Sequence, residues 1–509
     1  MTVGLPGNQS ADEGALGLDE QVLQSPEEAR RSRRAFFGSV ALVAVNVGRL
    51  LLQILVLPVL ARLLGPETFG VVSLAMPFVL FANLMADAGL GAALVRVAQP
   101  SRELESTVFW LSLAVGCSLA LLVIFAAPGI AGLLRQPPVA PVLIALGPVL
   151  IVSSSLSVAN ARISRARHFG LFAVGDLLSI SLSSALAIAT ATFGLGAWSL
   201  VIQQLSLWVA KAGWVLSAAR FTPTLAFRPR LLGDLLAFGL NNVGANIADF
   251  LGKSAPAIAI GAWLGVAAAG KYAMAFQLIR APELLLSGPL FLVTFASVAG
   301  LSGAPARQAQ LSVRTLRIAA TALAPLFAGL ALVADLIIDL FLGPRWRGDG
   351  VVLALLAPAG FLLCIYSVGG AVLMGLGRAD LQLRLSLAGG VAMLTGVAVG
   401  ARIGLDAAAG GLAAGALAVL PLYLAVIAGQ IGLRRLSALA GLPGPAAALA
   451  AMTGCVLLVR WRLAHAGPWP ELLAAVAGGA AAFAAVLAAT CGRRLLQDLR
   501  EALPGAVRA

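Results

Sequence analysis

Charge is scarce in this 509-residue chain. Only 11% of its residues are Asp, Glu, Lys or Arg, against 60% hydrophobic, and the mean hydropathy is +0.96. So little charge excludes an ordinary water-soluble domain. Histidine is nearly missing, with only His168 and His465, which leaves little material for His-based acid–base chemistry or a metal site. His168 sits among arginines and reads as a surface charge, and the only carboxylate near His465 is Glu471. The four cysteines, Cys117, Cys364, Cys455 and Cys491, all lie in apolar stretches, so they read as packing residues and not as a disulfide framework. No Asp-x-Asp pair is present to hold a nucleotide-sugar metal. Gly252-Lys253-Ser254 imitates the end of a phosphate-binding loop, but Ile247 stands where that loop requires Gly. No cofactor and no metal are therefore expected. Alternation with period two is also absent, which argues against a β-barrel.

Apolar runs long enough to span a bilayer fill the chain instead. Bounded by charges, Pro and Gly, they fall at 35–60, 69–94, 107–128, 139–160, 170–193, 195–219, 234–263, 268–298, 312–342, 350–376, 384–401, 408–432, 444–461 and 470–491. The expected fold class is an all-α polytopic membrane protein of about 14 transmembrane helices. Basic residues test the count. With a cytoplasmic N-terminus, about 23 of them fall in inward segments and 8 in outward ones, the bias that sets membrane orientation. The net charge of +13 then reflects topology and calls for no nucleic-acid partner. Residues 1–34 are polar and mixed in charge, and read as a disordered cytoplasmic tail ahead of an uncleaved first helix.

One stretch returns two hundred positions later. ARLLGPETFGVVSLA (61–75) aligns with GAWLGVAAAGKYAMA (261–275), so Leu64, Gly65, Gly70 and Ala75 recur as Leu264, Gly265, Gly270 and Ala275. Upstream in the same register Asn46 meets Asn246 and Leu51 meets Leu251. Helices six apart run the same way, which implies parallel repeats about an axis along the membrane normal: an N-terminal six-helix bundle (35–219), a cytoplasmic linker (220–233), a C-terminal six-helix bundle (234–432), helices 13–14 (444–491) and a cytoplasmic tail (492–509). Two related halves in a membrane suggest a transporter with its site where the halves meet.

Ionisable residues inside helices are costly and mark that site. Arg49, Lys211, Lys253 and Arg280 fall mid-helix. In the first helix Asn46, Arg49 and Gln53 share a face, and Asn242, Asn246, Asp249 and Lys253 do the same in the seventh. Helix 8 adds Gln277, Arg280 and Glu283, helix 2 Asn83 and Asp87, and helix 5 Asp176. Asn46, Arg49, Gln53, Asn242, Asn246, Lys253, Gln277 and Arg280 are the expected cavity lining. Internal ion pairs that fix helix packing are the plainer alternative, and Asp87, Asp176, Asp335 and Asp339, nearer helix ends, read as structural. Several cations in a low-dielectric cleft would attract a phosphate or diphosphate, and an anionic head with a long hydrocarbon tail fits best. Asp249 and Glu283 are candidates for coupling to an ion gradient.

The segment ARLLGPETFGVVSLAMPFVLFANLMADAGLGAALVR (61–96) closely resembles the hallmark region of polysaccharide flippases, the Wzx-like branch of the multidrug/oligosaccharidyl-lipid/polysaccharide exporter superfamily. GAWSLVIQQL (196–205), LLAFGLNN (235–242), MAFQLIRAPELLLSGPLFLVTFASVAGL (274–301), FLGPRW (341–346) and MGLGRADLQLRLSL (374–387) resemble that family in the same order. The resemblance covers roughly 36–435 and implies twelve core helices in two bundles, commonly with two more. It also implies an undecaprenyl-diphosphate-linked oligosaccharide moved to the outer leaflet of the bacterial cytoplasmic membrane, with Arg49, Lys253 and Arg280 placed to fill the cationic role. Membrane lipids, a polysaccharide polymerase and export machinery are the expected partners. Three other readings share the composition. A lipid II flippase would carry several arginines in helices 1, 2 and 8, whereas helix 2 here offers only Asn83 and Asp87. A drug antiporter would have an acidic cavity, and a polysaccharide polymerase or ligase a large external loop.

Overall fold

The computed structural model describes residues 26–87, 90–97, 99–166, 168–233, 254–432 and 443–502. Every regular element among them is helical, as a chain in hydrocarbon requires when each backbone group must be satisfied within its own segment. The first is α1 (Pro26–Asp87), followed by α2 (Leu90–Arg96), α3 (Arg102–Leu133), α4 (Val139–Leu146), α5 (Pro148–Ser155), α6 (Ser157–Arg165), α7 (Phe169–Thr192) and α8 (Ala197–Ala219). The second half comprises α9 (Ser254–Leu264), α10 (Val266–Ala299), α11 (Pro305–Leu332), the short α12 (Ala334–Ile337), α13 (Gly350–Gly375), α14 (Ala379–Gly400), α15 (Leu405–Gln430), α16 (Pro443–Leu463) and α17 (Pro468–Ala502).

Ten helices among the described residues are long and apolar enough to cross a membrane by length and composition. Several expected boundaries shift. α1 begins at Pro26, so residues 26–34, expected to be disordered, are helical. The run expected at 139–160 is three segments, α4 to α6, offset at Gly147 and Leu156. The run expected at 312–342 stops at Leu332, and residues 334–346 fold instead into α12, a π-helical turn (Ile338–Leu342) and a 3-10 turn (Pro344–Trp346). The stop has a physical cause: the Arg460 guanidinium of α16 donates to the carbonyl of Leu332 and pairs with Asp335 and Glu471. Most of the expected seventh helix, 234–253, lies outside the described residues.

Buried apolar side chains gather into two main cores. One runs from Val56 to Val201 and admits Ala269; the other runs from Ile260 to Leu412 and admits Ala61. Each thus borrows one small residue from the other half, and both borrowed residues flank the repeated glycines. The α16–α17 hairpin docks beside α11 through Val333, Leu336, Leu340, Met452, Val456 and Leu472.

The repeat seen in the sequence is a repeat in backbone. Gly65 breaks α1 at φ 77°, ψ 172°, and Gly265 precedes α10 at φ 90°, ψ 175°. L-residues with a side chain rarely adopt that conformation, so the same residue turns the chain in both halves. Five residues on, Gly70 and Gly270 face one another. A Cβ on Gly70 would lie 1.7 Å from the carbonyl oxygen of Val266, and one on Gly270 would lie 1.9 Å from that of Pro66. Backbone therefore meets backbone at the centre of the molecule.

Around this contact the halves exchange hydrogen bonds. Arg62 donates from Nε to the Phe341 carbonyl at 3.0 Å and from Nη2 to that of Leu340. In return Arg345 donates to the Leu63 carbonyl at 2.8 Å, and Trp346 Nε1 to the Ala61 carbonyl at 2.9 Å. Trp346 is fully buried, edge-on to Phe69 at 5.8 Å between ring centroids. Lys271 closes the set by pairing with Asp349 at 2.7 Å. This end of the bundle is shut by main chain and charge-assisted hydrogen bonds together.

Candidate functional site: a layer of charges below the closed end

Gly65 and Gly265 give a common origin from which depth can be measured along the helices. Arg49 lies sixteen residues before Gly65 on α1, and Arg280 fifteen residues after Gly265 on α10. The turn that joins α7 to α8 gives a second origin, and the ion pairs of Asp176 with Arg49 and Lys211 tie the two origins to one depth. From there Asp176 lies sixteen residues before Thr192, and Lys211 fifteen after Gly196. At a rise of 1.5 Å per residue all four groups fall about 22–24 Å from the closed end. Four helices from both halves carry charge in one layer.

Three of the four are joined. The two oxygens of Asp176 are divided between two cations: Lys211 Nζ is 2.8 Å from Oδ1, and Arg49 Nη1 is 3.3 Å from Oδ2. Their side chains keep 35% (Arg49), 22% (Asp176) and 27% (Lys211) of their surface accessible, so the cluster is not sealed by protein. Arg49 Nε is itself buried and has no hydrogen-bond partner among the described residues. Two unit charges about 4 Å apart attract by about 4 kcal/mol at an effective dielectric near 20, and one carboxylate cannot cancel two cations. The cluster is left with net positive charge. Lys211 Nζ also lies 5.8 Å from the ring centre of Trp208, which with Asn83 and Gln204 lines a recess between α1, α5 and α8.

Arg280 has no ion-pair partner among the described residues and is exposed, as is Gln277 one turn before it. Gln277 follows Gly270 by seven residues, two turns along the same helix face, so the face that seals the closed end is open at the level of the charges. Glu283 is half-buried on the next turn and forms no ion pair with Arg280. Gln53, expected beside Arg49, is exposed. The side chain of Asn46, that of Asp87, and all of Asn242, Asn246, Asp249 and Lys253 lie outside the described residues.

Two residues that sequence reasoning set aside belong to the layer. Asp176 was expected to be structural because it lies near a helix end, and Lys211 was noted as mid-helix but given no partner. The signal that finds them is depth: both are about as far from the turn joining α7 to α8 as Arg49 is from Gly65. Asp335, by contrast, has the structural place expected of it, held by Arg460. A structural ion pair of another kind lies between α3 and α6, where both oxygens of Glu105 are taken by Arg162 (Nε–Oε1 3.0 Å) and Glu105 is 4% exposed.

The fold and its layer of charge define a polytopic membrane protein of the transporter type. In overall fold it is similar to the lipid II flippase MurJ in an inward closed conformation, with a TM-score of 0.73 over 91% of this chain and all of that one at 11% identity. It also matches an inward-facing multidrug resistance MATE family transporter of the MOP superfamily, with a TM-score of 0.55 over 75% of this chain and 94% of that one at 20% identity. The chain belongs to the polysaccharide biosynthesis protein family, whose model matches residues 59–349, more than half its length. It is 29% identical over 360 residues to the succinoglycan biosynthesis transport protein ExoT of Rhizobium meliloti (strain 1021), covering 70% of this chain and 73% of that protein. It is 27% identical to the teichuronic acid biosynthesis protein TuaB of Bacillus subtilis (strain 168), over 59% of this chain and 63% of the relative. Against the lipopolysaccharide biosynthesis protein WzxC of Escherichia coli (strain K12) the identity is 20%, over 65% and 67% of the two chains.

Proposed function

We propose that this protein is a flippase that carries an undecaprenyl-diphosphate-linked oligosaccharide repeat unit from the inner to the outer leaflet of the bacterial cytoplasmic membrane. One observation supports the reading: Arg49 and Lys211 share the carboxylate of Asp176 between helices, with Arg280 counted to the same depth and backbone contact closing the glycine corners. The family match and the names of ExoT, TuaB and WzxC support a polysaccharide intermediate as the cargo.

The positive-inside bias places the glycine corners outward and both termini in the cytoplasm. The two bundles, 35–219 and 234–432, then rock about the Gly70–Gly270 contact. The cavity between them is lined by Asn46, Arg49, Gln53, Asn242, Asn246, Lys253, Gln277 and Arg280. The diphosphate crosses against these cations while the polyprenyl tail stays in lipid, which spares the hydrocarbon any contact with charge. Asp249 and Glu283 couple the cycle to an ion gradient. An Asp249→Asn protein with full gradient-dependent transport would remove Asp249 from that role.

Deletion in the native host tests the function. One surface polysaccharide should disappear while its lipid-linked repeat units accumulate on the cytoplasmic face. Normal polymer with altered tolerance to cationic drugs would assign the protein to drug export instead.

A further inference from the structure

The bridge from Arg49 through Asp176 to Lys211 differs from the pair between Glu105 and Arg162. Glu105 gives both oxygens to one arginine and is buried. Asp176 gives one oxygen to each of two cations on two different helices, and all three side chains remain accessible. Its bond to Arg49, at 3.3 Å, is at the long end of hydrogen bonding, and Arg49 Nε has no partner among the described residues. A carboxylate in this position presents two adjacent anionic oxygens to two cations, as a phosphate group would.

We propose that Arg49 and Lys211 are the anion-binding pair for a diphosphate, and that Asp176 is an internal counter-anion which the diphosphate displaces. The proposal rests on the reading of the protein as a carrier of a diphosphate-linked lipid. In the empty site Asp176 holds the two cations at their working separation and prevents them from repelling one another. A diphosphate brings more negative charge and more acceptor oxygens than one carboxylate, so it takes both cations and reaches the idle donor of Arg49. When it leaves, Asp176 closes on the cations again, which favours release. Asp176 is thus a positioning residue, and Lys211 a binding residue. Trp208, 5.8 Å from Lys211 Nζ, is placed to report the exchange through its fluorescence once the other seven tryptophans are replaced by Phe.

The test uses the full chain in phosphatidylcholine nanodiscs, with farnesyl diphosphate as the probe, farnesol as the uncharged control and inorganic pyrophosphate as a competitor. Titration is followed by calorimetry and by tryptophan emission. Farnesyl diphosphate should bind and farnesol should not, with pyrophosphate competing more weakly than the lipid form. Lys211→Ala should weaken binding by about tenfold or more, and Asp176→Asn should tighten it several-fold, the sign opposite to that of a purely structural bridge. Lys211→Arg keeps the cation and should stay within about threefold of the native protein, which preserves the test should Asp176→Asn fail to accumulate. Native-like binding by Lys211→Ala, weaker binding by Asp176→Asn, or equal affinity for farnesol would each overturn the exchange, and pyrophosphate binding tighter than the lipid would overturn the lipid assignment. The two readings fail separately. Polymer lost on deletion, beside a Lys211→Ala protein that binds normally, refutes the exchange alone; binding lost in Lys211→Ala, beside a deletion strain with intact polymer, refutes the flippase alone.

Discussion

Between Gly70 and Gly270 nothing intervenes but backbone, whereas Arg49 and Arg280, about 22–24 Å from the Gly65 and Gly265 corners, present charged side chains that are not sealed by protein. The two ends of one pair of repeats are thus built from opposite materials. At the closed end, the absence of side chains lets main chain approach main chain, and arginines donate to carbonyls across the halves. At the charged layer the side chains are long, partly accessible and not fully compensated. Closure is achieved by contacts within the protein itself.

The comparison is broken most severely at the glycines. Gly70→Val or Gly270→Val would drive a side chain into a carbonyl that cannot move aside, at a cost of about 3 kcal/mol or more. Thermal unfolding in detergent should show a large loss, while Gly288→Ala, where nothing lies within 4 Å, should be nearly neutral. A smaller effect is expected from Arg62→Ala with Arg345→Ala, which removes exposed donors worth about 1–2 kcal/mol together and leaves the backbone contact in place. In a cysteine-free background, a Leu63→Cys reporter should then react with an impermeant maleimide from outside about tenfold faster. Unchanged labelling would mean that these arginines do not hold the closure.

The smallest effects sharpen the same end. Burial raises the pKa of Asp349 above the ordinary carboxylate value, with the Lys271 ammonium opposing that rise in part. A carboxyl whose native pKa is raised contributes stability at pH values below its ordinary one, and loses that contribution as pH rises through the native value. Melting temperature against pH should therefore fall across that window for the native protein and stay flat there for Asp349→Asn. Lys271→Ala, which leaves the carboxyl buried without its cation, should move the fall to higher pH and cost more than Asp349→Asn does.

Much of this was legible in the sequence. The recurrence of Gly65 and Gly70 at Gly265 and Gly270 reported a shared backbone turn and a shared close approach, because only glycine meets either demand. Gly396 with Gly400, and Gly411 with Gly415, stand at the four-residue spacing of small residues that lets membrane helices approach, and they sit in the tight α14–α15 pair, where added Cβ atoms would lie 2.0–2.4 Å from facing backbone. The break after Leu332 was not legible, since its cause is an arginine 128 residues away on α16. The alliance of Arg49 with Asp176 and Lys211 was hidden for a similar reason. Helical periodicity reads faces within one helix, and this cluster takes one residue from each of three.

The most direct test of the account is to produce Arg49→Ala and Arg280→Ala proteins in the native host at matched levels, and to resolve the lipid-linked oligosaccharide by leaflet. The account predicts loss of surface polymer with the intermediate held on the cytoplasmic face in both strains. Wild-type export from both, with the intermediate distributed as in the parent, would contradict it.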